Sequence, residues 1–202
     1  TPISKVLLEG ISPFQLAGLL YLGAALVLLP KVIKERGLSK VLGMNSSNKM
    51  RILGAILFGG IGGPVALLFG LKLASASSVS MWLNLELVFT ALLGHLLFQD
   101  YLGKLGWFGA SGAVLAAVLL SWQGGVAGIK AGVFVSLACL FWGFDNHITA
   151  LIDEISPQTN TFLKGVFAGT INLTIGLLIA GYGGSWQETA GALVLGSFSY
   201  GI

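Results

Sequence analysis

The stretch KVIKERGLSKVLGMNSSNKMR, residues 31–51, carries six basic side chains (Lys31, Lys34, Arg36, Lys40, Lys49 and Arg51) against one acid, Glu35. It separates two apolar runs, and the contrast decides the fold class. Only 9% of the 202 residues are charged and 55% are hydrophobic, with a mean hydropathy of +0.89. A soluble domain carries roughly 25% charge, so this chain has too few charged groups to cover a water-facing surface. It is read as an integral membrane protein whose partner is the lipid bilayer. Basic loops stay on the side where the chain is made. Loop 31–51 is therefore expected to be cytoplasmic, in a plasma (inner) membrane. The isoelectric point near 9.1 would suggest nucleic acid in a soluble protein. Here more than half of the basic residues share one loop without an aromatic platform, so no nucleic acid is expected. The loop is read as a topology determinant, with anionic lipid headgroups as the alternative.

Working outward, apolar stretches of roughly 18 to 22 residues are long enough to cross the hydrocarbon core as helices. Spans are expected at Phe14–Leu29, Ile52–Leu73, Ser77–Phe98, Leu102–Trp122, Gly132–Ile152 and Thr161–Tyr182, with a partial seventh from Ala190. Pro30 is expected to close the first span, and the first ten residues to be the tail of an earlier helix. The runs are continuous rather than alternating, which selects helices over a barrel. Short links (Ala74-Ser75-Ala76, Gln99-Asp100-Tyr101, and a turn beginning at Gln123-Gly124-Gly125) make neighbouring spans antiparallel. Lys104 and Lys164 then join the basic loop on the inner side, while Lys5, Lys72 and Lys130 fall outside. An inner Asn45-Ser46-Ser47 sequon should be inert.

The 30 glycines suit close helix approach in lipid. The densest group, Gly59-Gly60 and Gly62-Gly63-Pro64, lies mid-span and follows no strand. It is read as a kinked or locally opened helix rather than a phosphate loop. Cys139 is the only cysteine; it excludes an internal disulfide and reads as a packing residue. No cleavable signal peptide is visible. The chain starts at Thr1 rather than Met and stops at Ile202 within an apolar run, so it reads as a piece of a longer protein.

Ile11-Ser12-Pro13 and Ile155-Ser156-Pro157 each precede a span, and Leu8-Glu9 and Ile152-Asp153 precede the tripeptides. Five spans separate them, so the second copy falls on the opposite side of the membrane. Duplication with inverted topology is an architecture of secondary transporters. Further motifs carry a family resemblance. Ser75-Ala76-Ser77-Ser78, Leu83-Asn84-Leu85-Glu86-Leu87-Val88-Phe89-Thr90 and Leu97-Phe98-Gln99-Asp100 resemble the end of an EamA repeat. Trp107-Phe108-Gly109-Ala110-Ser111-Gly112 resembles the start of that repeat's last helix, and Phe141-Trp142-Gly143-Phe144-Asp145-Asn146-His147-Ile148-Thr149 the first helix of a second repeat. Asp100 departs from the family's frequent Glu but keeps the acid. The resemblance, to the EamA branch of the drug/metabolite transporter superfamily, implies an all-α polytopic membrane helix bundle of two inverted-topology five-helix repeats. In this chain they would occupy 1–122, lacking most of the first helix, and 132–202, truncated.

An ionisable group at mid-bilayer costs about 2.5–3.5 kcal/mol on insertion scales and is a functional candidate by default. Glu86 lies nine residues from Ser77, about 13 Å into the membrane at 1.5 Å per residue. Trp82, Glu86, Thr90 and Gly94 recur every fourth residue and share a face. Burial should raise the affinity of the Glu86 carboxyl for protons. Asn84 and His95 lie on the other face. Asn84 is either interhelical glue or a substrate contact, and His95 a solvated or capping residue near the inner headgroups, with a proton relay as the alternative. Cys139, Trp142, Asp145, Asn146 and Thr149 form a second stripe, suited to a small polar or cationic solute with Trp142 supplying a π face; His147 points away from it. Asn172 is a further mid-span candidate, and Lys72 is expected to snorkel outward.

The expected function is secondary transport of a small metabolite by alternating access, driven by protons and directed outward as is most frequent in the family. The candidate substrate or proton-coupling residues are Glu86, Trp82, Asn84, Thr90, Trp142, Asp145, Asn146 and Asn172. No cofactor, catalytic residue or metal ligand set is assigned. A metal-dependent intramembrane enzyme needs clustered ligands such as His-Glu-x-x-His, whereas the two histidines here lie on different spans. A non-transporting scaffold is the other alternative. Self-association into a homo-oligomer stays open.

Overall fold

The structure is a computed structural model describing residues 2–200; Thr1 and Ile202, on which the expectation of cut ends falls, lie outside them. The helices are α1 (Pro2–Leu7), α2 (Pro13–Lys34), α3 (Gly37–Gly43), α4 (Ser46–Ala55), a π-helical segment (Ile56–Gly62), α5 (Gly63–Leu73), α6 (Ala76–Trp82), α7 (Leu85–Leu97), α8 (Lys104–Gln123), α9 (Gly125–Ala150), α10 (Pro157–Ala180) and α11 (Trp186–Tyr200). Among the described residues, six helical rods are long and apolar enough to cross a membrane: α2, α4–α5, α6–α7, α8, α9 and α10. The all-helical polytopic bundle expected from hydropathy is what forms.

Each Ile-Ser-Pro tripeptide is a helix start. Ser12 caps α2: its Oγ accepts the Gln15 N–H while the Gln15 side chain accepts the Ser12 N–H, a reciprocal capping box. Ser156 caps α10 by accepting the Thr159 N–H. Pro13 and Pro157 occupy first-turn positions where a missing N–H costs nothing. The two helices lie side by side and antiparallel. Gln15 meets Gly176, Gly18 meets Leu173, Leu22 meets Gly169 and Ala25 meets Gly165. A Cβ at Gly18 would sit 2.6 Å from the Leu173 amide nitrogen. Glycine there sets the backbone separation, as expected where lipid supplies no hydrophobic drive between helices.

Several boundaries differ from the sequence reading. Pro30 does not end the first span; α2 continues through it to Lys34. The lost hydrogen bond to Leu26 is one backbone group, whereas ending the helix in lipid would orphan several. The turn after α8 is tighter than expected: Gly125, at φ +59, reverses the chain so that α9 begins there and takes in Lys130. Helix α10 starts four residues early, at Pro157. The Ala190 span begins at Trp186 behind a cap formed by Ser185 and Glu188. The third span is interrupted: α6 and α7 meet through a tight turn at Leu83-Asn84, with Asn84 N–H bonded to Met81 O and Glu86 N–H to Leu83 O.

Loop 31–51 docks against the α9–α10 turn. Asn45 and its side chain bond Glu154, Asn48 bonds Asp153 at 2.9 Å, Arg51 reaches Leu151 O at 2.9 Å, and Ser156 donates to Glu35 at 2.7 Å. The Asn48 amide, the Asp153 backbone and nearby Arg51 hold the Asp153 carboxyl below its usual range. This contribution is present above the carboxylate range and is lost as pH falls through the lowered value. On the opposite face, Lys5 bonds the terminal carbonyls of α5 at Leu71 and Lys72, and the Lys72 side chain is exposed. These contacts match the expected parity of the spans.

The opened helix at Gly59-Gly60 has a specific cause. Gly63 N–H bonds Phe58 O five residues back, and Pro64 has no N–H. Pro64 can therefore serve neither Gly59 in π register nor Gly60 in α register. Three side chains from other helices take over. Tyr21 Oη donates to Gly59 O at 2.7 Å, Trp142 Nε1 to Gly59 O at 3.2 Å, and Asn172 Nδ2 to Gly60 O at 3.1 Å. Orphaning a buried carbonyl costs about 1–3 kcal/mol, so Asn172→Leu should destabilise the protein by that amount. In a Pro64→Ala background the restored N–H should cut the cost by at least half. Thermal unfolding of the four proteins of this cycle checks the coupling; additive losses would contradict it.

Candidate functional site

Asp145, in the half of α9 nearer the basic-loop face, is buried and paired. Lys164 Nζ lies 2.6 and 2.7 Å from its two carboxylate oxygens, with both side chains 12% exposed. Thr149 Oγ1 donates to Asp145 Oδ1 at 3.0 Å and accepts from Lys164 at 3.3 Å. The ion pair ties α9 to α10 beside the opened helix, where a Cβ at Gly59 would collide with the Asp145 carboxylate. Across the same space Asn146 Nδ2 donates to Glu86 Oε1 at 3.1 Å and to Thr90 Oγ1 at 3.2 Å, joining α9 to α7. A cavity of about 390 Å³ is lined by Tyr21, Glu86, Trp142, Asp145, Asn146, Thr161, Lys164 and Ser199. That volume is within the usual range for small-molecule sites.

Of the residues singled out from sequence, Glu86, Thr90, Trp142, Asp145 and Asn146 converge here. Trp142 does so with its indole N–H spent on Gly59 O. Trp82 does not: it is buried, and its Nε1 donates to Ala117 O of α8 at 3.1 Å. Each step of the tight turn between α6 and α7 advances about 120° rather than 100°, so Trp82 and Glu86 no longer share a face. Asn84 bonds Met81 O of its own interrupted helix at 2.9 Å. It lines a different, mostly apolar gap beside α8. Asn172 is fully buried on Gly60 O, and its Oδ1 has no hydrogen-bond partner among the described residues. Cys139 packs at the α6–α7 turn with Sγ toward Trp82 O and Leu83 O. His95 meets Asp100 O at 2.9 Å near the end of α7. His147 meets Thr90 O at 2.8 Å and stacks on Phe98.

Tyr21, Thr161, Lys164 and Ser199 also line the cavity and are not among the sequence-derived candidates; Lys164 counts from the sequence only among the charges on the inner side. A lysine within an expected span was itself the signal, since intramembrane cations are rare and paired. A larger apolar gap of about 620 Å³ separates α8 from α7 and α9; α8 has no buried residue. It contains no ionisable group.

Comparison with known proteins points to membrane transport. The model of the EamA-like transporter family matches residues 1–122. A Methanothermobacter thermautotrophicus protein described as an uncharacterized transporter is 26% identical over 198 residues, covering 89% of this chain and 57% of the relative. The chain thus spans little more than half the length of that relative. No solved structure matches.

Proposed function

Because this chain belongs to the EamA-like transporter family, and so to a family of membrane transporters, we propose that it forms the core of a secondary carrier for a small polar metabolite. The solute occupies the cavity between Glu86 and the Lys164–Asp145 pair. Residues 1–122 and 132–202 are two halves of inverted topology that rock against each other about this cavity. The loop 31–51 is cytoplasmic, the membrane is the plasma membrane, protons drive the cycle and the net direction is export.

The observation that carries this reading is Glu86. It is a carboxylate on an apolar span, facing a cavity, and among the described residues it forms no ion pair. Such a group binds a proton or a solute but not both with equal ease, which is the elementary requirement of coupling. The antiparallel α2–α10 pair supports the two-half architecture, since both helices start at the same capped tripeptide. The π-helical segment supports rocking, because its own backbone ladder is interrupted at Gly59 and Gly60, behind the cavity residues Tyr21 and Trp142 that bond it. The test is a metabolite screen on the complete protein by thermal shift, with hits followed into sealed vesicles under a proton gradient. Saturable, gradient-driven flux is expected; hits that bind but never cross would contradict carriage.

A further inference from the structure

Charge in the cavity is unbalanced, and the imbalance has a direction. An ammonium has three N–H bonds. Those of Lys164 are matched by Asp145 Oδ1, Asp145 Oδ2 and Thr149 Oγ1. Asp145 is filled in turn by Lys164 and the Thr149 hydroxyl. The pair is a closed, neutral unit with no N–H left for a solute anion. Glu86 differs. Its hydrogen-bond partner is the neutral Asn146 amide on Oε1 alone, and no Lys, Arg or His nitrogen among the described residues lies within ion-pair reach. With Glu86 deprotonated, the wall carries one uncompensated negative charge. Beside it stands Trp142, whose indole N–H is spent on Gly59 O while its ring lines the cavity.

We infer that the solute is a monocation: a protonated amine on a compact apolar body, with Glu86 as its counter-ion. This rests on the carrier reading and narrows it. A carboxylate or phosphate would meet Glu86 repulsion and find the cationic N–H groups already engaged. An uncharged solute would leave Glu86 unmatched. An ammonium placed at Glu86 satisfies the carboxylate and lies beside aromatic surface, where a desolvated cation is stabilised.

The experiment uses the complete protein in detergent and three probes of one skeleton: phenethylammonium, phenethyl alcohol and 3-phenylpropionate. Calorimetry on the wild type, Glu86→Gln and Glu86→Asp reads the preference. Expected is at least tenfold tighter binding of the amine than of either other probe. That advantage should be lost in Glu86→Gln and kept in Glu86→Asp. Equal or tighter binding of the carboxylate or alcohol to the wild type overturns the inference even if Glu86→Gln fails to fold. An amine advantage that survives in a folded Glu86→Gln overturns it as well. In either case the carrier reading stands. Should none of the three bind, the charge of the hits in the wider metabolite screen decides: cationic hits support the inference, anionic or neutral hits overturn it. No hits at all would remove the carrier reading with it.

Discussion

Glu86→Gln should lower proton-driven flux at least tenfold and flatten its pH dependence, with the fold intact. Glutamine keeps the length of the side chain and an oxygen that accepts the Asn146 amide, so the α7–α9 contact at 3.1 Å survives. What it removes is the charge and the capacity to take up a proton. A group that alternates between proton and solute is useless once it can hold neither in ionic form. Stability should change by no more than about 0.5–1 kcal/mol, as for a substitution that orphans no partner. Flux in vesicles, measured across pH with thermal unfolding alongside, separates the two effects. Unchanged flux with unchanged pH dependence would remove Glu86 from the mechanism.

The largest loss of stability is expected at Lys164. Lys164→Met leaves Asp145 buried beside Gly59 without its counter-ion, with Thr149 as its remaining side-chain partner. Removing one partner of a buried pair typically costs about 3–5 kcal/mol, whereas replacing both is far cheaper. The double variant Lys164→Met with Asp145→Asn should therefore recover most of what Lys164→Met loses. Equilibrium unfolding in detergent of the wild type, both single variants and the double variant gives the coupling. Additive losses in the double variant would mean that the 2.6 Å contact carries no net energy.

Much of this was legible in the order of the residues. Hydropathy found the six spans because the bilayer imposes one length and one polarity on each. The Ser-Pro tripeptides were readable because capping is local: Ser12 and Gln15, or Ser156 and Thr159, lie within one turn. Gly59-Gly60 before Pro64 announced an opened helix, since the missing donor is written in the sequence. The side chains that close the opening were not announced as such. Tyr21 and Asn172 lie far from Gly60 in sequence, and only packing brings them together.

Two misreadings share a cause. Trp82 was placed on the face of Glu86 by assuming an unbroken helix, but Leu83 and Asn84 form a tighter turn. Lys164 counts from the sequence only as an inner-side charge, because its helix is expected to begin at Thr161. Starting at Pro157 instead puts Lys164 seven residues in, about 10 Å deep. Both errors are shifts of a few residues that periodicity alone does not resolve, and both matter most at the ionisable groups.

Two antiparallel halves enclosing one cavity are the centre of this account, and the sides on which equivalent positions lie test it most directly. Single cysteines in place of Glu9 and Asp153, both exposed, are introduced into the complete protein after Cys139→Ala, and intact cells are treated with a membrane-impermeant thiol reagent. Labelling at position 9 with protection at position 153 until the cells are opened is the predicted result. Equal labelling of the two from outside would put both helix starts on one side of the membrane and contradict the carrier.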